Sequence, residues 1–193
     1  NKMMPLCNNY VEGDLDYNNV FRSLPTSNRK LYCKDYQFEP IPGPKSNNAN
    51  LEKQYGDIRF WDTSKVTNMY NRFADKIAQN YDSDDFPDIK YWNTSNVTTM
   101  KEMFRAANNF NRNIGGWDTS SVTSMSMMFS NVYKFNQNIG GWNTSAVTKM
   151  NFMFAFAKTF NQNISGWDVD KVGGKNNFAC SSSMEDSNLP SSF

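Results

Sequence analysis

Residues 117–142 read WDTSSVTSMSMMFSNVYKFNQNIGGW, and the same pattern of residue types returns on both sides of this stretch. Successive Trp residues are 31, 25, 25 and 25 positions apart, so the chain repeats a unit of roughly 25 residues, with one insertion. In repeat proteins of this kind, each unit buries its apolar face against its neighbours. The rows that we predict to form the core are Ile58, Ile89, Ile114, Ile139 and Ile164; Trp61, Trp92, Trp117, Trp142 and Trp167; Val66, Val97, Val122 and Val147; Met69, Met100, Met125 and Met150; and Phe73, Phe104, Phe129 and Phe154.

The apolar spacing changes character within one unit. Apolar residues from Val122 to Val132 recur at i, i+3, i+7 and i+10, which is typical of one face of a short helix. The run 118–120, Asp-Thr-Ser, precedes them with side-chain oxygens that suit a helix start. Residues 135–139 read as a short extended segment, ended by a turn at Gly140 and Gly141. We therefore predict an α/β repeat: a solenoid with one short strand and one short helix per coil, and a parallel ladder of strands about 4.8 Å apart.

Asparagine recurs as strictly as the apolar residues. We interpret these positions as a structural ladder, because stacked Asn side chains can hydrogen-bond along a stack and satisfy backbone groups in turns. The alternative is a surface of amides that binds a ligand. The ladder positions are Asn111, Asn136 and Asn161, and Asn113, Asn138 and Asn163.

The motif W-D-T-S-x-V-T-x-M, followed by M-F and then by F-N-Q-N-I-G-G-W, resembles the BspA-like surface-protein repeat, a relative of leucine-rich repeats. Copies begin at Trp92, Trp117 and Trp142, and the resemblance extends over about Gly56 to Val172. It implies a leucine-rich-repeat-like solenoid and, commonly, secretion or cell-surface display with roles in adhesion and protein contacts. It implies no reaction.

Composition divides the chain into three segments. Residues 1–50 form an N-terminal arm or cap with a Pro-rich end, which either covers the first coil or reaches a partner. Residues 51–172 carry the solenoid of about five repeats, and residues 173–193 are expected to form a C-terminal cap that fades into a flexible tail. Because the chain opens at Asn1, we expect a processed product or a fragment that has lost any targeting peptide.

Charge and hydropathy limit the partners. With 20 basic and 19 acidic residues the net charge is +1, which gives no basic stripe for a phosphate backbone, so we predict no nucleic-acid partner. The longest apolar run, 152–157, is too short for a membrane-spanning segment. We expect a secreted or cell-surface protein. The alternative is an organelle lumen, or the periphery of a membrane complex after removal of a targeting peptide.

Covalent modification has two candidate places. Cys7 and Cys33 are a candidate disulfide, the alternative being two buried thiols. Asn93 and Asn143 lie in glycosylation sequons, although the pattern is also what turn-capping residues would produce.

We find no constellation of residues that predicts catalysis. The chain has no His, which removes the commonest general base and argues against a zinc site. Asp82, Asp84 and Asp85 could offer oxygen ligands to calcium, but the Gly and distal Glu of an EF-hand loop are missing, so we favour a solvated acidic loop. We predict no catalytic residues, no cofactor and no metal.

The function expected from these observations is a non-enzymatic protein-interaction or structural scaffold. It would be either of the cell-surface adhesion type or an accessory subunit of a larger assembly, with other proteins, and in second place glycans, as partners. One alternative is a carbohydrate-binding module, which requires an exposed row of aromatic rings. The other is a glycan-acting enzyme, which requires two carboxylates in a cleft.

Overall fold

Regular secondary structure is sparse in the part of the chain that the structure describes. The computed structural model describes residues 39–40, 59, 61–74, 86 and 88–193, with the backbone alone at 39, 40 and 61. Strand β1, Glu39–Pro40, pairs antiparallel with strand β2, Trp61–Asp62, so that Glu39 lies opposite Asp62. A single 3-10 turn, Asp186–Asn188, completes the elements named in the described part of the chain.

The predicted α/β solenoid with a parallel strand ladder is wrong. No α-helix forms over the predicted span from Val122 to Val132, because Met127 and Asn131 both have φ of 58°, in the left-handed region. The predicted extended segment 135–139 is not a strand either. Parallel strand pairing between the described coils is limited to isolated bridges, which lie outside the predicted strand segment: Asn68 with Thr99, Thr99 with Ser124, Ser124 with Lys149, and Lys149 with Gly174.

Turns replace the predicted helix in every described coil, where a coil is the chain from one Trp to the next. Residues with φ between 52° and 59° recur in pairs four positions apart: Glu102 and Ala106, Met127 and Asn131, Phe152 and Phe156, and Asn177 and Ser181. Short-range bonds such as Met128 N–H to the Met125 carbonyl (3.2 Å) close each turn. The left-handed residues point their N–H groups out of the turn, so that Met127 N–H donates to Asn151 of the next coil (2.9 Å).

Backbone hydrogen bonds in both directions hold neighbouring coils in register. Thr123 N–H donates to the Thr98 carbonyl of the preceding coil (2.8 Å), whereas Met125 N–H donates to the Lys149 carbonyl of the following coil (2.9 Å). The same pair of bonds recurs 25 residues later, from Thr148 to Thr123 and from Met150 to Gly174. These bonds supply the partners that a helix or a sheet would otherwise provide for the backbone.

The core lies inside the stack and consists of parallel rows of side chains. From residue 66 onward, every member of the predicted Ile, Trp, Val, Met and Phe rows is buried, and Trp92, Trp117, Trp142 and Trp167 are only 4–5% exposed. Stacked rings run along the coils: Phe104 to Phe129 is 5.7 Å at 8°, and Phe129 to Phe154 is 5.4 Å at 8°. Aromatic pairs at such distances add to the stability gained by burying their area. Ile58 and the Trp61 side chain lie outside the described residues.

The C-terminal segment packs against the last coil. Phe193 stacks on Phe178 with ring centroids 4.4 Å apart, and the Lys175 ammonium donates to the Ser192 carbonyl (2.5 Å). Ile164 N–H donates to the Asn188 carbonyl (2.9 Å). Residues 181–193 therefore supply hydrogen-bond partners that a further coil would have supplied. The N-terminal segment 1–50 lies outside the described residues except for β1.

Candidate interaction surface

Most recurrent polar side chains complete the turns of their own coil. Asp118 Oδ1 accepts hydrogen bonds from the Ser120 N–H (2.9 Å) and the Ser120 hydroxyl (2.6 Å), and Asn143 Oδ1 accepts the equivalent bonds from Ser145 (3.1 and 2.7 Å). These are Asx-turns, for which Asp and Asn are equally suited because only the side-chain oxygen is needed. The bonds from Ser120 stabilise the Asp118 carboxylate and lower its pKa, and bonds from Ser64 lower the pKa of Asp62 in the same way.

A second set of polar side chains joins one coil to the next within the interior. The Thr119 hydroxyl, on a residue only 1% exposed, donates to the Asn143 carbonyl of the following coil (2.9 Å). Trp142 Nε1 donates to the Ile114 carbonyl of the preceding coil (3.1 Å). The equivalent hydroxyl bonds are made by Thr63, Thr94 and Thr144, and the equivalent indole bonds by Trp117 and Trp167.

The two predicted Asn rows have different roles. Asn111, Asn136 and Asn161 link coils: Asn136 N–H donates to Asn111 Oδ1 (3.0 Å), and Asn161 N–H donates to Asn136 Oδ1 (3.1 Å). These bonds run from backbone to side chain, and the side-chain amides of Gln137 and Gln162 donate further bonds to Asn111 Oδ1 and Asn136 Oδ1 (3.0 Å each). The other row stays within its coil, since Asn113, Asn138 and Asn163 each accept from the N–H two residues ahead.

The residues left facing solvent on one side of the stack form a surface that we call the threonine face. It comprises positions four to nine after each Trp, that is 65–70, 96–101, 121–126, 146–151 and 171–176. Its Val and Met side chains, up to Val172, enter the core, and the bridged residues between them hold the coils in register. An exposed row of Thr runs along it, at Thr67, Thr98, Thr123 and Thr148.

Hydrogen bonds fix the orientation of the exposed Thr row. The Thr98 hydroxyl donates to the Thr67 carbonyl (3.0 Å), and the Thr123 hydroxyl donates to the Thr98 carbonyl (3.0 Å). Since the same carbonyls also accept the Thr backbone N–H, each side chain is held in one rotamer against the stack. The free lone pairs of these hydroxyls are acceptors at fixed spacing, about 4.8 Å per coil.

Lysines from distant parts of the sequence gather on the threonine face. Its five segments contain no Asp or Glu, and they contain the exposed residues Lys65, Lys101, Lys149, Lys171 and Lys175. Lys101 pairs with Glu102 (3.3 Å) at the border of the face, and Lys175 bonds to Ser192. Sequence reasoning missed this surface, because the whole chain is nearly neutral and its lysines are dispersed.

The remaining candidate residues fall in three places. Asn93 and Asn143 are exposed, each with its Oδ1 engaged in an Asx-turn. Cys7, Cys33 and the acidic insertion at Asp82, Asp84 and Asp85 lie outside the described residues. Cys180 is buried beside Ala155 and Phe156 and is disulfide-bonded, a role that the sequence reasoning did not assign to it.

Two structural findings bear on the alternative functions. The Trp row is buried from Trp92 to Trp167, so it does not provide the exposed row of rings that a carbohydrate-binding module would need. The large apolar residues exposed in the described part are Tyr70, Tyr91 and Tyr133, which occupy different positions in their repeats.

Within the described part of the chain, no helix is both long and apolar enough to cross a membrane.

Comparison with known proteins gives one family. Residues 45–87 and 79–191 match the model of a family described as "Mycoplasma protein of unknown function, DUF285". The second match alone covers more than half of the chain. No curated protein and no solved structure matched the chain.

Proposed function

The chain belongs to the family described as "Mycoplasma protein of unknown function, DUF285", and from that premise we propose that it is a non-enzymatic scaffold that binds another protein through its threonine face. The family description assigns no function, so the proposal depends on the site. The observation that supports it is which repeated residues are used inside the stack and which remain on its surface. Apolar rows are buried and most repeated polar groups are used in turns or between coils, while the threonine face presents fixed hydroxyls and exposed lysines.

A rigid surface of this kind suits binding because little conformational entropy is lost when a partner docks on it. The exposed Thr side chains are already fixed by bonds such as that from Thr123 to Thr98. The backbone beneath them is bonded in both directions. A partner would therefore meet an ordered surface without having to order it first.

Two settings fit this scaffold. One is adhesion at a cell surface, which the resemblance to BspA-like surface repeats supports together with a secreted location. The other is an accessory subunit docked on a larger assembly, in an organelle lumen or at the periphery of a membrane complex. Burial of the Trp row from Trp92 to Trp167 removes the exposed rings that carbohydrate binding would require.

The experiment is affinity capture from the source organism with the immobilised full chain, followed by chemical cross-linking and mass spectrometry. Two variants locate the contact. Ala146→Tyr places a ring on the threonine face, in the same row as Lys65 and Lys171, while Gly141→Tyr places one outside the face, in the turn before Trp142, where a new Cβ meets nothing within 4 Å. We expect the same protein partner with the wild type and the Gly141 variant, and its loss with the Ala146 variant.

Each other outcome is informative. Loss of the partner with the Gly141 variant alone would move the contact to the turn before Trp142 and contradict the assignment to the threonine face. Recovery of the wild type only as a free monomer, from native extracts and after cross-linking, would overturn the scaffold function. Circular dichroism and thermal unfolding of both variants check that they are folded before either is interpreted.

A further inference from the structure

The threonine face carries a charge that the rest of the chain offsets. Its five segments contain five Lys and no acidic residue, yet the net charge of the whole protein is only +1. Three of these lysines, Lys65, Lys149 and Lys171, make no hydrogen bond or ion pair with another side chain within the described part of the chain. The face is therefore a local positive surface on a nearly neutral protein.

The spacing of these lysines follows from the stack. Lys65 and Lys171 occupy the same position of the repeat four coils apart, which corresponds to about 19 Å at about 4.8 Å per coil. Lys149 lies on the coil that begins at Trp142, one coil before that of Lys171. The charges are thus distributed along the length of the face and not concentrated at one point.

The nearest carboxylates lie at the borders. Asp170 adjoins Lys171 on one side, and Glu102 lies on the other, where it pairs with Lys101 and with Arg105 (3.3 and 3.4 Å). Asp118 is held in an Asx-turn outside the face, and so is Asp62, whose pKa is lowered by bonds from Ser64 and further by the nearby charge of Lys65. Salt screens exposed charges beyond about 8 Å at physiological ionic strength, so Asp62 and Asp170 partly offset Lys65 and Lys171, which lie near them on the two end coils, whereas no carboxylate adjoins Lys149 in the sequence.

We propose that the threonine face recognises an acidic segment of a partner protein, whose carboxylates pair with Lys65, Lys149 and Lys171 and accept hydrogen bonds from them. The inference rests on the proposed function and specifies the partner for the same surface. Three lysines spread over about 19 Å neutralise only a small part of the charge of a duplex, which carries one phosphate charge per about 1.7 Å of axis. A peptide with dispersed Asp and Glu can meet charges at this spacing, and the Thr hydroxyls add acceptors for its backbone N–H groups.

The test measures binding of a labelled polyglutamate peptide to the full chain by fluorescence anisotropy, at about 20 mM and about 150 mM salt. The triple variant Lys65→Gln, Lys149→Gln, Lys171→Gln should weaken binding about tenfold, from three exposed charge contacts. The matched control, Lys90→Gln, Lys134→Gln, Lys158→Gln, removes the same charge from exposed positions outside the face and should change the affinity by less than about twofold.

Three results would overturn the proposal: no binding of polyglutamate at either salt concentration, equal losses in the two triple variants, or tighter binding of a single-stranded oligonucleotide or of phosphatidylserine vesicles than of the peptide. The two proposals fail separately. If the partner captured from the source is lost with Ala146→Tyr but retained by the face triple variant, the scaffold function stands and the acidic recognition falls. If no partner is captured but the peptide binds with the expected difference, the charge assignment stands without the scaffold function.

Discussion

Substitution of Gly140 and of Gly141, the two glycines in the turn before Trp142, should have opposite effects on stability. Neither has its backbone in the left-handed region, so the difference lies in what a new Cβ would touch. At Gly140 the Cβ would lie 2.6 Å from the carbonyl oxygen of Asn163 in the next coil, whereas at Gly141 it would meet nothing within 4 Å. Stacking of the coils therefore leaves room for a side chain at only one of these neighbouring positions.

The magnitude follows from that geometry. A Cβ at Gly140 must move by roughly 0.7 Å to reach a normal carbon–oxygen contact of about 3.3 Å, and its obstacle is backbone held by inter-coil bonds. Overpacking of this kind costs about 1–3 kcal/mol. Lys90 occupies the equivalent position two coils earlier, so this turn can accept a side chain when its surroundings differ. At Gly141 an Ala should stabilise by about 0.4–1 kcal/mol, because it restricts the unfolded chain.

The assay is thermal and urea unfolding of Gly140→Ala and Gly141→Ala, followed by circular dichroism and Trp fluorescence. For a chain of this size 1 kcal/mol corresponds to about 2–4 °C, so we expect Tm to fall by about 2–12 °C in the first variant and to rise by about 1–4 °C in the second. Equal shifts in the two variants would refute the close approach of the coils at Gly140.

Four further predictions test the turns and the bonds between coils. Ala106→Gly should stabilise by about 0.8 kcal/mol, since the φ of 57° strains an Ala, while Ala107→Gly at a buried position should destabilise by about 1–2 kcal/mol; urea unfolding of both gives the sign. Thr119→Val should cost about 0.5–1.5 kcal/mol in the same assay, because the hydrogen bond from its hydroxyl to the Asn143 carbonyl of the next coil is lost. Asp118→Asn should reduce the loss of stability in acid. The folded pKa of Asp118 is lowered, so its contribution to the free energy of unfolding is present above the ordinary value of 3.8 and is lost as the pH falls through the lower folded value. Unfolding curves from pH 7 to about pH 2 would detect the difference between the two proteins. Peptide mapping without reductant should recover the peptide of Cys180 cross-linked to another cysteine peptide, and a free thiol there would contradict the assignment.

The sequence predicted the long-range order of this fold correctly in one respect, the rows of buried side chains. A buried row such as Phe104, Phe129 and Phe154 can be predicted from the repeat period and the apolar character of its members, both of which are visible in the sequence. Burial of large aromatic side chains dominates the energy of the stack, so the strongest physical term left the clearest pattern.

Local structure was mispredicted because one spacing serves two conformations. The i, i+3, i+7 pattern from Val122 places apolar residues on one face of a helix, but a chain of turns produces the same alternation of buried and exposed positions. What decides between them is the left-handed backbone at Met127 and Asn131. The residue types at those positions vary from coil to coil, so the sequence contains no signal of the left-handed conformation. The energy that favours it comes from bonds to the next coil, such as Met127 N–H to Asn151.

The candidate surface was hidden for a different reason. Lys65 and Lys171 are more than one hundred positions apart in the chain, and only the register of the stack places them in the same row. Composition averages over the whole protein and gave a net charge of +1, from which we inferred no basic stripe. A column-by-column sum of charge along the 25-residue period would have detected the surface without a structure.

Residues that bond to the following coil, or leave room for it, change near the C-terminal end of the stack. Thr119 and Thr144 each donate a buried hydroxyl to the coil after them, and the last coil has Val169 at this position. Gly140 leaves room for Asn163 of the coil after it, and Ser165 takes the equivalent position just before Trp167. A buried hydroxyl without an acceptor would cost free energy, so its replacement by Val fits a coil that no further repeat follows. Residues that differ between coils therefore carry two kinds of information, where stacking stops and, on the threonine face, what the finished stack can bind.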